Sequence, residues 1–214
     1  MYNTTNCKCI LFDMDGVVID TEDLYYKAEI SFFLKHGINI ENIEWNKIHG
    51  SSEIDFYKYC INDLNMQGSI EQLKNECHYF IKKQFHNNLN FNKGFKTFYN
   101  TIPKNINCGL VTSTSRILFN IIDVNLNLSN LFDIIVCGDD TKRNKPKPDP
   151  YLFAMKSLSI DPSKTIIIED SIIGLRAAKS SGAFAIGLIG TFAEADLDAD
   201  LIVNDFDEIN INYL

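Results

Sequence analysis

The amino-acid sequence predicts a doubly wound α/β fold whose parallel sheet is interrupted, after its first strand, by an all-helical insert. Three observations carry this. Short, uniformly apolar runs recur along the chain. Helical periodicity separates the later ones. The stretch from about Glu22 to about Asn90 shows helical periodicity and no convincing strand.

The runs come in order. Cys9–Phe12, Cys108–Val111, Ile134–Cys137, Thr165–Ile168 and Ala185–Leu188 are apolar on both alternating faces, as strands buried on both sides of a parallel sheet must be. Leu201–Val203 is a candidate sixth strand. Between them, Arg116 to Leu128 places apolar residues at Ile117, Leu118, Ile121, Ile122 and Val124, a helical face. Pro150 to Leu158 reads as a helix, with Asp149 as N-cap and Pro150 at the first helical position. Ile172 to Ser181 reads as another, stopped by Gly182. In the insert, three helical patterns run through Tyr25–Phe33, Ile54–Leu64 and Leu73–Phe85. The Asn-rich segment from Asn87 to Gly94 is the candidate return hinge. The expected domains are therefore a core of residues 1–21 and 92–214 and a helical subdomain of residues 22–91.

Bulk properties narrow the function. At 214 residues the chain can hold one good-sized core with a smaller insert, and 45% hydrophobic with 22% charged residues is typical of a globular domain. A net charge of -8 argues against nucleic-acid or anionic-membrane surfaces, because phosphates would be repelled. No apolar run reaches membrane-spanning length, and Met1–Asn6 lacks the basic region of a signal peptide. The expectation is a cytoplasmic monomer. Six scattered cysteines, with only a Cys7-x-Cys9 pair and no second pair at zinc spacing, read as reduced thiols.

The chemistry-bearing residues follow strand ends, where open α/β sheets bind ligands. Phe12-Asp13-Met14-Asp15-Gly16 follows the first strand. In an extended chain Asp13 and Asp15 point the same way, and two such carboxylates repel unless a cation is near. Gly16 permits a sharp turn out of the sheet. Glu169-Asp170 follows another strand and precedes a helix, so either acid could complete an oxygen-ligand site, although one acid there would also suit the helix dipole. Thr112 and Ser113 follow the strand ending at Val111; they could cradle phosphate oxygens, and taken alone they fit an ordinary helix cap equally well. Lys145 lies in the stiff Lys145-Pro146-Lys147-Pro148-Asp149-Pro150 loop, which could aim it at the acids.

Taken in order, this Asp-x-Asp, Thr/Ser, Lys and Glu-Asp series resembles the haloacid dehalogenase superfamily, in particular its beta-phosphoglucomutases and sugar-phosphate phosphatases with a helical cap. The resemblance runs from Lys8 to about Asn204 and includes Asp20-Thr21-Glu22. It implies a Rossmann-like core and a Mg²⁺-dependent phosphatase of a small phosphorylated metabolite. In that reading Asp13 is a nucleophile forming an aspartyl-phosphate. Asp15 is the general acid/base, its carbonyl also binding metal. Thr112 with the Ser113 amide holds phosphoryl oxygens, the Thr112–Ser115 run leaving a one-residue ambiguity. Lys145 offsets charge. Asp13, Asp15, Asp170 and Glu169 surround Mg²⁺.

Where the chain departs from the family, the alternative phosphomutase reading weakens. The resemblance implies a cap His where Tyr25 stands. It also implies a cap Arg, holding a second phosphate, where Ser52 or Glu53 stands in His49-Gly50-Ser51-Ser52-Glu53. Tyr25, Ser52 and Glu53 are therefore the candidate specificity residues. A dehalogenase lacks the role of Asp15, so its presence argues against that chemistry.

Overall fold

The computed structural model describes residues 7–48, 53–190 and 197–210. The chain opens with β1 (Cys9–Phe12) and a two-residue strand, β2 (Ile19–Asp20). Four helices follow: α1 (Glu22–Lys35), α2 (Trp45–Ile48), α3 (Glu53–Asn62) and α4 (Ile70–Asn88). The chain then returns through β3 (Asn90–Phe91), α5 (Phe95–Tyr99), β4 (Asn107–Val111), α6 (Arg116–Leu126) and β5 (Ile134–Val136). It ends with α7 (Asp149–Ser157), β6 (Thr165–Glu169), α8 (Ile172–Ser180), β7 (Phe184–Leu188) and β8 (Leu201–Val203). These elements form two compact units, Met1–Asp20 with Leu89–Leu214, and Thr21–Asn88.

In the larger unit six strands form one sheet in the order β5-β4-β1-β6-β7-β8, every pair parallel. The central strand β1 is buried along its whole length, which is why its sequence is apolar on both alternations. Cys9 and Leu11 face one side. There they join Val111, Ile167, Tyr151 and Met155, together with Leu175 and Ala178 of α8. Phe12 faces the other side, with ring centroids 5.6 Å from Phe95 and 5.9 Å from Phe132. Burying each such ring contributes about 2–3 kcal/mol.

The alternation has a consequence for function. It carries Asp13, two residues past Leu11, and Glu169, two past Ile167, toward the face covered by α7 and α8. Phe12 pairs with Leu110 on one side and Ile168 on the other, so the ends of β1, β4 and β6 lie level.

The smaller unit is helical, with α1 and α3 packed on α4. Its interior is aromatic: Phe33 and Phe56 lie 5.9 Å apart, and Tyr25 meets Phe85 edge-on at 5.4 Å. Glu76 of α4 takes both Lys35 and His36 at 2.9 Å, tying down the C-terminal end of α1.

Several details differ from the expected elements. Helix α6 stops at Leu126 because Asn127 turns left-handed, φ 52°, two residues before the expected end. Helix α7 includes Asp149, and Pro148 takes the cap position; the Asp149 carboxylate accepts from Arg143 Nε at 2.8 Å and caps nothing. Strands β2 and β3 pair antiparallel, Ile19 with Phe91 and Asp20 with Asn90; two residues are too few to show a period. Gly182 sits one residue beyond the end cap of α8 at φ +84°. No described helix is long and apolar enough to cross a membrane.

Candidate active site

The site is built from the C-terminal ends of β1, β4 and β6 and the loop before α7. At the end of β1, Asp13 continues the ladder, its N–H donating to Ile168 O at 3.0 Å. The chain then folds back: Val18 and Ile19 N–H groups both reach Met14 O, and Gly16 N–H reaches Ile19 O at 2.9 Å. Gly16 stands at φ +77°, and a Cβ there would come 2.0 Å from Asp170 Oδ2. Glycine is thus required twice, for the left-handed backbone and for the space taken by Asp170.

The hydroxyls after β4 converge on Asp15. Thr114 Oγ1 donates to Asp15 Oδ2 at 2.8 Å, and Thr112 Oγ1 donates to the same oxygen at 3.3 Å. Thr112 Oγ1 itself accepts from Thr114 N–H at 3.0 Å. The loop is braced by Gly138, whose missing side chain admits the Ser113 carbonyl: a Cβ would lie 2.2 Å from that oxygen. Thr112 is buried and Ser113 exposed. Sequence reasoning left the position of the hydroxyl open within this run and assigned nothing to Thr114. Only the return of Asp15 through the Gly16 turn reveals its partner.

Lys145 is buried, and the peptide bond that follows it, Lys145–Pro146, is cis. All three ammonium donors are used: Asp13 Oδ1, Val111 O at 2.9 Å and Glu169 Oε1 at 2.7 Å. Tyr151, fully buried on α7, donates its hydroxyl to the same Glu169 oxygen at 2.7 Å, and its ring centroid lies 5.0 Å from Lys145 Nζ. The sequence reading counted this position only as part of a helix. Its one signal was a phenol in a segment destined for the core, where the hydroxyl needs a partner.

Burial, helped by the charges of Glu169 and Asp15 and opposed by Lys145, raises the Asp13 carboxyl to about 8. Burial works against charge on Lys145 too, but Asp13 and Glu169 outweigh it and raise its pKa. One ammonium shared by two buried carboxylates leaves negative charge to be offset.

Asp13, Glu169 and Asp170, all buried, offer carboxylate oxygens that lie within 4.8 Å of one another. An all-oxygen set of this kind fits a small hard divalent cation such as Mg²⁺. Gly16 and Gly190 flank Asp170 Oδ2 without side chains, which keeps room beside that oxygen. The Asp15 carboxylate is held by the two threonines instead.

The expected specificity residues lie in the helical unit. Ser52, like His49, Gly50 and Ser51, falls outside the described residues. Tyr25 packs its ring on Phe85. Glu53 is not an isolated carboxylate: Lys74 Nζ lies 2.6 Å from one oxygen and His78 Nε2 2.7 Å from the other. Burial disfavours its charge, but these two partners hold its pKa below the usual carboxylate value.

Comparison with known proteins bears on this geometry. The family model described as "Haloacid dehalogenase-like hydrolase" matches residues 10–188. A "Phosphorylated carbohydrates phosphatase" of Thermotoga maritima is 32% identical over 176 residues, covering 82% of each chain. A "Validoxylamine A 7'-phosphate phosphatase" of Streptomyces hygroscopicus is 26% identical over 94% of this chain and 95% of its own length. The crystal structure of a HAD hydrolase, family IA, variant 3, from Entamoeba histolytica superposes with a TM-score of 0.84 at 25% identity, covering 96% of both chains.

Proposed function

The chain belongs to the haloacid dehalogenase-like hydrolase family and is one of its phosphatases, and we propose that it releases inorganic phosphate from a small phosphorylated carbohydrate through an aspartyl-phosphate on Asp13. The observation that carries this is the placement of two carboxylates with opposite partners. Asp13 is held by the Lys145 ammonium, and Asp15 by two threonine hydroxyls.

In the first step an Asp13 carboxylate oxygen attacks phosphorus and the bond from phosphorus to the leaving sugar oxygen breaks. Asp15 gives its proton to that oxygen. In the second, water attacks phosphorus, Asp15 takes the water's proton, and the bond to Asp13 breaks, restoring both side chains. Phosphoryl transfer needs in-line positioning and charge neutralisation more than elaborate covalent chemistry. Lys145 lies where it offsets charge on Asp13. The Ser113 amide is assigned to a phosphoryl oxygen, and so is the Thr112 hydroxyl once its single proton leaves the longer 3.3 Å contact with Asp15, which Thr114 then holds.

Mg²⁺ would be held by Asp13, Asp170 and the Asp15 carbonyl, with Glu169 close by, and would supply charge neutralisation and alignment of the phosphoryl group. It would also favour the ionised form of Asp13, which burial alone disfavours. The phosphomutase alternative demands a cation for a second phosphate. Tyr25 is neutral, and Lys74 is already paired with Glu53. Substrate discrimination is assigned to Tyr25, Ser52 and Glu53. All six cysteines are free thiols, which supports a reducing, cytoplasmic location, and we take the working form as a monomer.

The test is a panel of sugar monophosphates assayed for phosphate release, run beside a coupled assay for glucose 6-phosphate formed from beta-glucose 1-phosphate. Phosphate release without comparable isomerisation is expected. Fast isomerisation with little phosphate release overturns the reading.

A further inference from the structure

The two carboxylates after β6 have different surroundings. Each oxygen of Glu169 already accepts two donors. Oε1 takes Lys145 Nζ and Tyr151 Oη, both at 2.7 Å. Oε2 takes Ser171 Oγ at 3.0 Å and Ser171 N–H at 3.3 Å. A carboxylate offers about four lone-pair sites, so this one is filled. The surrounding chain is shaped to it. Ser171 is also the N-cap of α8, its hydroxyl accepting from Gly174 N–H at 3.1 Å. Gly174 has no Cβ where one would lie 1.9 Å from Glu169 Oε1 and 2.1 Å from Oε2. Any side chain at 174 would evict the carboxylate.

Resting on the phosphatase reading above, we propose that Tyr151 and Glu169 are a positioning pair that fixes Lys145 against Asp13, and that Glu169 takes no direct place among the metal's ligands. The buried phenol and the buried carboxylate share one oxygen with the ammonium, so the three groups lock one another. Lys145 has three donors and three acceptors, and only the Glu169 acceptor is a flexible side chain other than Asp13 itself. If Tyr151 loses its hydroxyl, Oε1 is freed on one side and the ammonium gains room to follow Glu169 away from Asp13. The residues that would hold the metal are then Asp13, Asp170 and the Asp15 carbonyl, too few to close a site by themselves.

Two variants separate the roles. Tyr151→Phe removes only the hydroxyl. Glu169→Asp keeps the charge and withdraws it by one methylene, which spoils either a metal ligand or a lysine clamp. Mg²⁺ binding is measured by titration calorimetry on EDTA-stripped, substrate-free protein, with Asp170→Asn as the variant that loses the metal; kcat and KM are measured at saturating Mg²⁺. For both variants kcat should fall about tenfold, the value of one hydrogen bond to a charged group, with KM and the Mg²⁺ Kd changed less than about threefold. A folded Tyr151→Phe protein with unchanged kcat overturns the positioning role. A Mg²⁺ Kd weakened in Glu169→Asp as far as in Asp170→Asn, beyond the roughly 10–100-fold that a partner outside the ligand set costs, makes Glu169 a ligand and overturns the other half. Should the wild-type chain release phosphate from no sugar phosphate, the phosphatase reading fails, while the calorimetric comparison still decides whether Glu169 holds the metal.

Discussion

Thr114 Oγ1 donates to Asp15 Oδ2 at 2.8 Å, a shorter contact than the 3.3 Å from Thr112 to the same oxygen. The carboxylate assigned to proton transfer is thus aimed by a residue one position past the expected phosphate-binding pair. Thr114→Val keeps the shape and removes the donor. Losing one hydrogen bond to a charged group, with Thr112 remaining, should lower kcat about tenfold and leave Mg²⁺ affinity unchanged. Steady-state kinetics with a metal titration checks this; an unaltered kcat would show that Thr112 alone suffices.

Gly16→Ala should be damaging for two separable reasons. A left-handed backbone costs a non-glycine residue about 1–2 kcal/mol. The new methyl would also lie 2.0 Å from Asp170 Oδ2, so Asp170 must move. The expected result is a lower Tm together with Mg²⁺ affinity reduced by about tenfold or more. Thermal unfolding and calorimetry read the two effects apart. A lowered Tm with normal Mg²⁺ affinity would remove Asp170 from the metal set.

Glu29 of α1 provides a test away from the chemistry. Burial raises its carboxyl from 4.5 to about 7. The folded state therefore binds this proton more tightly than the unfolded chain. The associated stability is fully present below about pH 4.5 and lost as pH rises through about 7. Glu29→Gln removes that loss. The variant should be more stable than wild type by about 1–2 kcal/mol at pH 8, after discounting the shift for the group's partial exposure, and the gap should close toward pH 4.5. Urea unfolding at both pH values measures it; an equal gap at the two would show that Glu29 does not titrate between them.

Exhaustive EDTA treatment should abolish phosphate release, and added Mg²⁺ should restore it, because Asp13 and Glu169 share a single buried ammonium. Full activity in the chelated protein would show that Lys145 alone neutralises the site.

How far the sequence reaches can be judged from these residues. The parallel core was legible because strands buried on both faces leave near-continuous apolar runs, as in Cys9–Phe12 and Thr165–Ile168. The gathering of Asp13, Lys145, Glu169 and Asp170 was legible because chemistry in such folds collects at strand ends. What the sequence withheld were contacts fixed by side-chain direction in three dimensions. Thr114 looked like any cap-run hydroxyl until the Gly16 turn brought Asp15 beside it. Tyr151 looked like one more helix residue, although its position on the face of α7 turned to β6 gives its hydroxyl to Glu169. Glu53 was read only as standing where the resemblance implies a cap Arg, and nothing in its own segment showed that Lys74 and His78, more than twenty residues on, reach its two oxygens.

The central claim is that Asp13 carries the phosphoryl group. It is tested most directly by quenching the enzyme during turnover of a sugar monophosphate, trapping acyl phosphate with hydroxylamine, and locating the hydroxamate by peptide mass spectrometry. A mark on Asp13 that needs substrate and is absent from Asp13→Asn is the expected result. Turnover with no mark on Asp13, or a mark on another carboxylate that persists in Asp13→Asn, would contradict it.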